Sequence, residues 1–100
     1  MNTTMNLCGH PWKGVIKLHY GRKGPILWME SLEGEPIADF SKTVYSLASD
    51  EIAIKDYSET EGCYEQLVQK KVVQPAHRIH RQGYVNFQVC RRHPDFIKNK

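Results

Sequence analysis

This sequence predicts a single α+β domain: a mainly antiparallel β-sheet meander with one amphipathic helix packed on it. Three observations carry that expectation. Several short runs alternate polar and apolar residues with the period of a half-buried strand. One stretch, residues 58–71, sets helix-start and helix-stop chemistry around an apolar stripe. The length of 100 residues and the hydrophobic fraction of 40% suit one domain with a modest core. The expected element order is β-β-β-β-α-β. Residues 1–13 are read as a flexible lead-in, 14–92 as the domain and 93–100 as a frayed basic tail.

Each element has its reason. Gly9, Pro11 and Gly14 argue against regular structure in the lead-in. Residues 15–20 alternate cleanly, with Ile16, Leu18 and Tyr20 on one face and Lys17 and His19 on the other. Gly21-Arg22-Lys23-Gly24 is a turn by its glycines. Residues 25–31 resume as a strand whose contiguous Ile26, Leu27, Trp28 and Met29 suggest a central or covered position, with Trp28 in the core. A turn at Glu33-Gly34-Glu35-Pro36 leads into a less regular third strand over 37–44. Residues 45–50 connect, with Leu47 tucked beneath. Residues 51–55 form a fourth strand with Ile52 and Ile54 on one face.

The helix follows. Ser58-Glu59-Thr60-Glu61 matches a capping box, in which the Ser58 hydroxyl and the Glu61 carboxylate each satisfy the other's backbone N–H. Cys63 with Leu67, and Tyr64 with Val68, make the apolar stripe, and Gln74-Pro75 is the expected stop. On this reading Ser58→Ala costs about 1 kcal/mol. Residues 76–82 read as a basic, polar link. Residues 83–90 form the last strand, with Val85, Phe87 and Val89 inward and Tyr84, Asn86 and Gln88 outward.

Composition narrows the function. No apolar run is long enough to span a bilayer, and no signal peptide is visible at the N-terminus, so a cytoplasmic location and no membrane partner are expected. Three cysteines, Cys8, Cys63 and Cys90, with no C-x-x-C pair, suit a reducing compartment. Net charge is only +3, but it is unevenly placed along the chain. The first 29 residues carry four cations and no acid, residues 30–65 carry ten acids against Lys42 and Lys55, and residues 70–100 carry eight cations against Asp95. Folding can neutralise such blocks against one another or turn them into opposed surface patches.

Three runs, GEPIADFSKTV at 34–44, IKDYSETEGCYEQLVQKKVVQP at 54–75 and GYVNFQVCR at 83–91, resemble a family of short uncharacterised bacterial proteins from plasmids, phages and other mobile elements. The similarity spans roughly residues 24–92. It departs before Gly14 and in the more basic segment 77–81. It implies a small α+β fold and a mobile-element origin, and it implies no catalytic residues. Small proteins of such elements often act by binding and blocking host machinery, including defence systems, which is an argument by association.

The residues themselves argue against most enzyme chemistry. Cys8-Gly9-His10 and His77-Arg78-Ile79-His80 offer short Cys/His spacings, but Arg78 and Arg81 would place positive charge beside a metal ion, so no metal and no cofactor are expected. No local signature supports a Cys–His nucleophile. The Gly21–Gly24 turn is too short for a phosphate loop and lies between strands. The leading expectation is a non-enzymatic interaction protein that binds a host protein, as monomer or homodimer. Its candidate surface is the acidic block Glu30, Glu33, Glu35 and Asp39 with Trp12 as an aromatic anchor, a charge pattern able to occupy a basic nucleic-acid groove. The alternative is weak, salt-sensitive nucleic-acid binding by Lys70, Lys71, Arg78, Arg81, Arg91 and Arg92, with Tyr84 stacking on a base.

Overall fold

In the computed structural model, which describes residues 1–44 and 46–96, eight strands form two antiparallel four-stranded sheets among those residues. Sheet A runs β1 (Asn2–Leu7), β2 (His10–Gly21), β3 (Gly24–Glu30) and β4 (Pro36–Asp39) as a sequential meander. Sheet B has the order β5 (Ser41–Lys42), β6 (Glu51–Ile54), β8 (Val85–Arg91) and β7 (Arg78–Gln82). One α-helix, α1 (Cys63–Gln69), follows a 3-10 turn at Ser58–Thr60. The α+β class, the meander and the single helix are as the sequence predicts; the strands are more numerous.

Phe40 joins the two sheets. Its N–H donates to Leu27 O in β3 at 2.8 Å, and its carbonyl accepts from Lys55 N, just past β6, at 2.7 Å. One extended stretch thus leaves sheet A and enters sheet B at a single residue, whose ring is fully buried. The alternation of β2 and β3 builds sheet A's inner face: Ile16 pairs with Met29 and Leu18 with Leu27, all four inaccessible. Ile52, Ile54 and Cys90 of sheet B join the same core. On the other face of sheet B, Val44, Ala53 and Phe87 form a smaller cluster, with Leu47 packed against it as expected.

The lead-in is not loose. Residues 2–7 form β1, paired with β2 from Asn2 opposite Val15 to Leu7 opposite His10, and Met5 and Leu7 are core residues. Pro11 is tolerated because residues 10–14 of β2 have β1 on one side and no partner in β3, whose pairing starts at Val15. Gly14 marks that boundary: a Cβ there would lie 2.1 Å from Glu30 O. Here glycine allows backbone to approach backbone, where the sequence reading took it for a breaker.

Two further segments gain structure. Residues 78–82, expected as a link, form β7 at the edge of sheet B. In the expected tail, Phe96 is buried, its N–H donates to His93 O at 2.9 Å, and His93 N donates to Val72 O at 2.9 Å. The remainder of that tail, residues 97–100, lies outside the described residues, as does Tyr45 of the connection.

The helix is shorter at both ends than the sequence predicts. Ser58 is not its cap: α1 starts after Gly62 (φ +90°), and the Asp56 carboxylate accepts from Gly62 N at 2.7 Å and Tyr64 N at 2.9 Å. Thr60, inside the expected first turn, is buried, with its hydroxyl donating to the Lys55 and Tyr57 carbonyls. At the other end the helix stops at Gln69, and Lys71 turns left-handed at φ +59°. Continuing the helix would carry Lys71 and Gln74 onto the face of Cys63 and Leu67. Leaving it puts Val72 and Val73 into the core instead, both almost fully buried.

Candidate functional site

Ser31 shapes the hairpin loop between β3 and β4. Its N–H donates to Glu35 O at 2.7 Å, its carbonyl accepts from Gly34 N at 2.9 Å, and its hydroxyl accepts from Glu35 N at 3.1 Å. Gly34 supplies the positive φ (+89°) that closes the loop. With its backbone satisfied inward, the loop presents Leu32, 59% exposed, between the end of β3 and the exposed carboxylates Glu33 and Glu35. Asp39, also exposed, lies further along β4, the last strand of sheet A. Among the described residues the side chains of Glu33, Glu35 and Asp39 make no ion pair. With Glu59, Asp39 lines a small depression of about 190 Å³ beside Pro36, Ile37 and Ala38.

Glu30 belongs to the same end but behaves differently. It accepts from Trp28 Nε1 at 2.9 Å and pairs with Lys17 Nζ at 3.0 Å. The indole N–H and then the ammonium hold its carboxyl below the usual carboxylate range. Trp28 is not in the core. It is half-buried on the outer face of sheet A, paired with Lys17 on one side and Asp39 on the other. Trp12 is 47% exposed and lies at the same end of the sheet, because Val15 pairs with Glu30. Glu33 and Glu35 thus share one loop and Asp39 the adjoining edge, on the outer face opposite Trp28, whereas Trp12 shares that end of sheet A but has the inner-face parity of Ile16 and Leu18. Glu30 is held by Lys17 across the strands and by Trp28 two residues back on its own strand.

The basic residues are dispersed and partly occupied. Arg78 Nη2 donates to Glu51 Oε1 at 2.8 Å and to Ser46 O at 2.9 Å, and its Nε donates to Glu51 Oε2 at 3.2 Å. Arg91 Nε binds Asp50 at 2.8 Å, and Arg92 Nη1 donates to Phe96 O at 2.6 Å. Lys70 and Lys71 sit at the end of α1, Arg81 on β7, and Tyr84 is fully exposed in the β7–β8 turn. Three of these six cations, Arg78, Arg91 and Arg92, thus grip the chain's own carboxylates and carbonyls.

The cluster around Glu51 has no signal in the sequence. Glu51 is only 5% exposed, and besides Arg78 it receives Ala48 N at 2.8 Å and lies 2.5 Å from His77 Nε2. The guanidinium, the Ala48 N–H and the imidazole together hold its carboxyl far below the ordinary range. Two clefts also escape the sequence reading. One, of about 790 Å³, lies between the β2–β3 turn and Val44 with residues 46–50. The second, of about 470 Å³, shares Lys23 and Val44 with it.

The cysteines and histidines stay apart as chemistry. Cys63 and Cys90 are buried free thiols, and burial pushes Cys90 up to about 12 and Cys63 higher still. Exposed Cys8 donates its thiol to Ser58 O at 2.7 Å, while His80 stacks obliquely on Phe87. Among the described residues no group of three or more His, Cys, Asp or Glu side chains could hold a metal ion, and no helix is long and apolar enough to cross a membrane. No family model, no curated protein and no solved structure matches the chain, so the mobile-element resemblance rests on its three runs alone.

Proposed function

We propose that this chain is a non-enzymatic binding protein that presents the acidic end of sheet A to a basic surface on a host protein. The observation that carries this reading is the β3–β4 loop. Its backbone is held by Ser31 and Gly34, and it presents an exposed leucine beside two carboxylates that are in no ion pair among the described residues. A rigid loop loses little entropy on binding, and unpaired acids supply the long-range attraction that speeds encounter with a cationic groove. Asp39 on the adjoining edge adds further charge, and Trp12 at the same end of the sheet is an exposed aromatic available as an anchor. The occupied state of Arg78, Arg91 and Arg92 favours this reading over a C-terminal nucleic-acid patch.

The test is capture from host extract by the wild-type protein and by Glu33→Lys/Glu35→Lys/Asp39→Lys. The expected result is a stoichiometric protein partner, released by moderate salt, retained by the wild type and lost by the triple variant. Retention of the same partner by the charge-reversed protein would overturn the reading.

A further inference from the structure

The other end of β3 carries the opposite charge. There the chain turns back through Arg22 and Lys23, both exposed and in no ion pair among the described residues. They form one wall of the larger cleft, whose floor includes Tyr20, Val44 and Leu47 and whose far wall includes Ser49. Asp50, the acid on this lining, is held by Arg91 at 2.8 Å. The smaller cleft shares Lys23 and Val44 with it, and Gln82 borders that second cleft. Two residues beyond Gln82 stands Tyr84, the most exposed aromatic among the described residues, at 102%.

We infer that the two clefts form a groove for single-stranded nucleic acid, with Arg22 and Lys23 on successive phosphates and Tyr84 offering a stacking face beyond Gln82. Three features select this ligand. The two clefts are open and meet the same Lys23 and Val44, which suits a chain more than a compact metabolite. Its cations are unneutralised while its floor is partly apolar, the pairing a sugar–phosphate backbone with bases requires. An acidic peptide could answer the charge but has no use for an isolated, fully exposed aromatic at the groove's end. This groove differs from the dispersed C-terminal basic residues, and it lies about 20 Å from the acidic loop, the length of a seven-residue strand. It therefore stands or falls independently of the proposed protein partner.

Fluorescence anisotropy with a labelled oligothymidylate of about twelve nucleotides tests the inference. With two or three phosphates neutralised, affinity should fall on the order of tenfold between about 50 and 200 mM salt. Arg22→Glu/Lys23→Glu should lower affinity at least tenfold, and Tyr84→Ala by roughly fivefold, the low end of one stacked base. Lys13→Glu, an exposed lysine on the other half of β2, and the triple acidic-loop variant should not weaken binding. Lys23→Gln, which only removes charge at an exposed turn, repeats the test should the double reversal impair folding, with a loss of about threefold expected. No binding at about 50 mM salt, an equal loss in Lys13→Glu, or tighter binding of polyglutamate than of oligothymidylate would each overturn the groove. So would competition by thymidine monophosphate as effective as by the oligomer at equal nucleotide concentration.

Discussion

The two sheets each place a carboxylate among donors on one face, and burial gives the two carboxylates different work. Glu51 of sheet B has 7% of its side chain exposed and is contacted by Arg78, His77 and the Ala48 N–H. These contacts tie β6, the start of β7 and the loop over the smaller core cluster into one unit. Glu30 of sheet A has 20% of its side chain exposed, with one lysine and one indole as partners, on a face open enough to leave Ile26 44% exposed. A charge pair in that setting contributes little to stability because water competes for both partners. Sheet B thus uses its charges to hold the fold. Sheet A, at its β3–β4 loop, leaves Glu33 and Glu35 in no ion pair among the described residues.

That contrast can be broken by substitution. The largest expected effect is Glu51→Gln, which removes the charge that a guanidinium and an imidazole converge on. Breaking a buried pair costs about 3–5 kcal/mol, but Arg78 and His77 keep 35% and 31% of their side chains exposed and can be partly rehydrated, so a loss of about 2–3 kcal/mol in urea unfolding is expected. A loss below about 1 kcal/mol would mean that the cluster is incidental.

Acid should reveal the same residue. Because the folded protein depresses the Glu51 carboxyl, the unfolded chain binds its proton more readily. The stabilisation is therefore fully present above the ordinary value of 4.5 and is lost as pH falls below it. Wild-type stability measured from about pH 6 to about pH 3 should decline more steeply than that of Glu51→Gln. Parallel curves would assign the acid sensitivity elsewhere.

The cap comes next in size. Asp56→Ala removes two acceptor bonds at the start of α1 and should cost about 1–2 kcal/mol by thermal unfolding. Ser58→Ala, the substitution the capping-box pattern singles out, should cost less. The smallest effect belongs to sheet A's loop: Glu33→Gln/Glu35→Gln should shift stability by less than about 0.5 kcal/mol, since both acids are exposed and in no ion pair among the described residues. A larger loss would show that these acids serve the fold after all.

The sequence revealed most where periodicity is strong. Residues 15–20 and 85–89 alternate because one face is the more buried, and in 51–54 Ile52 and Ile54 share the face on the main core while Ala53 and Glu51 are buried on the other; the structure places Ile16, Leu18, Ile52, Ile54, Phe87 and Val89 inside. It revealed least where structure depends on a partner far along the chain. β1 has only Met5 and Leu7 to mark it, and its pairing with β2 accommodates both Pro11 and Gly14. β7 is an edge strand with Ile79 59% exposed, so its pattern resembles a loop. The helix start was misread because Asp56, outside the capping box, supplies the cap. The acidic loop was legible as a cluster of charges on a turn. That Glu30 would be held by Lys17 depends on strand register, and nothing local joins Glu51 to His77, 26 residues away.

The most direct test of the division between the sheets pairs one binding assay with one unfolding curve for the charge-reversed acidic loop. Glu33→Lys/Glu35→Lys/Asp39→Lys should unfold at the wild-type urea midpoint while losing the host protein that the wild type retains. A triple variant that keeps the partner, or that loses stability to the extent expected for Glu51→Gln, would contradict the account.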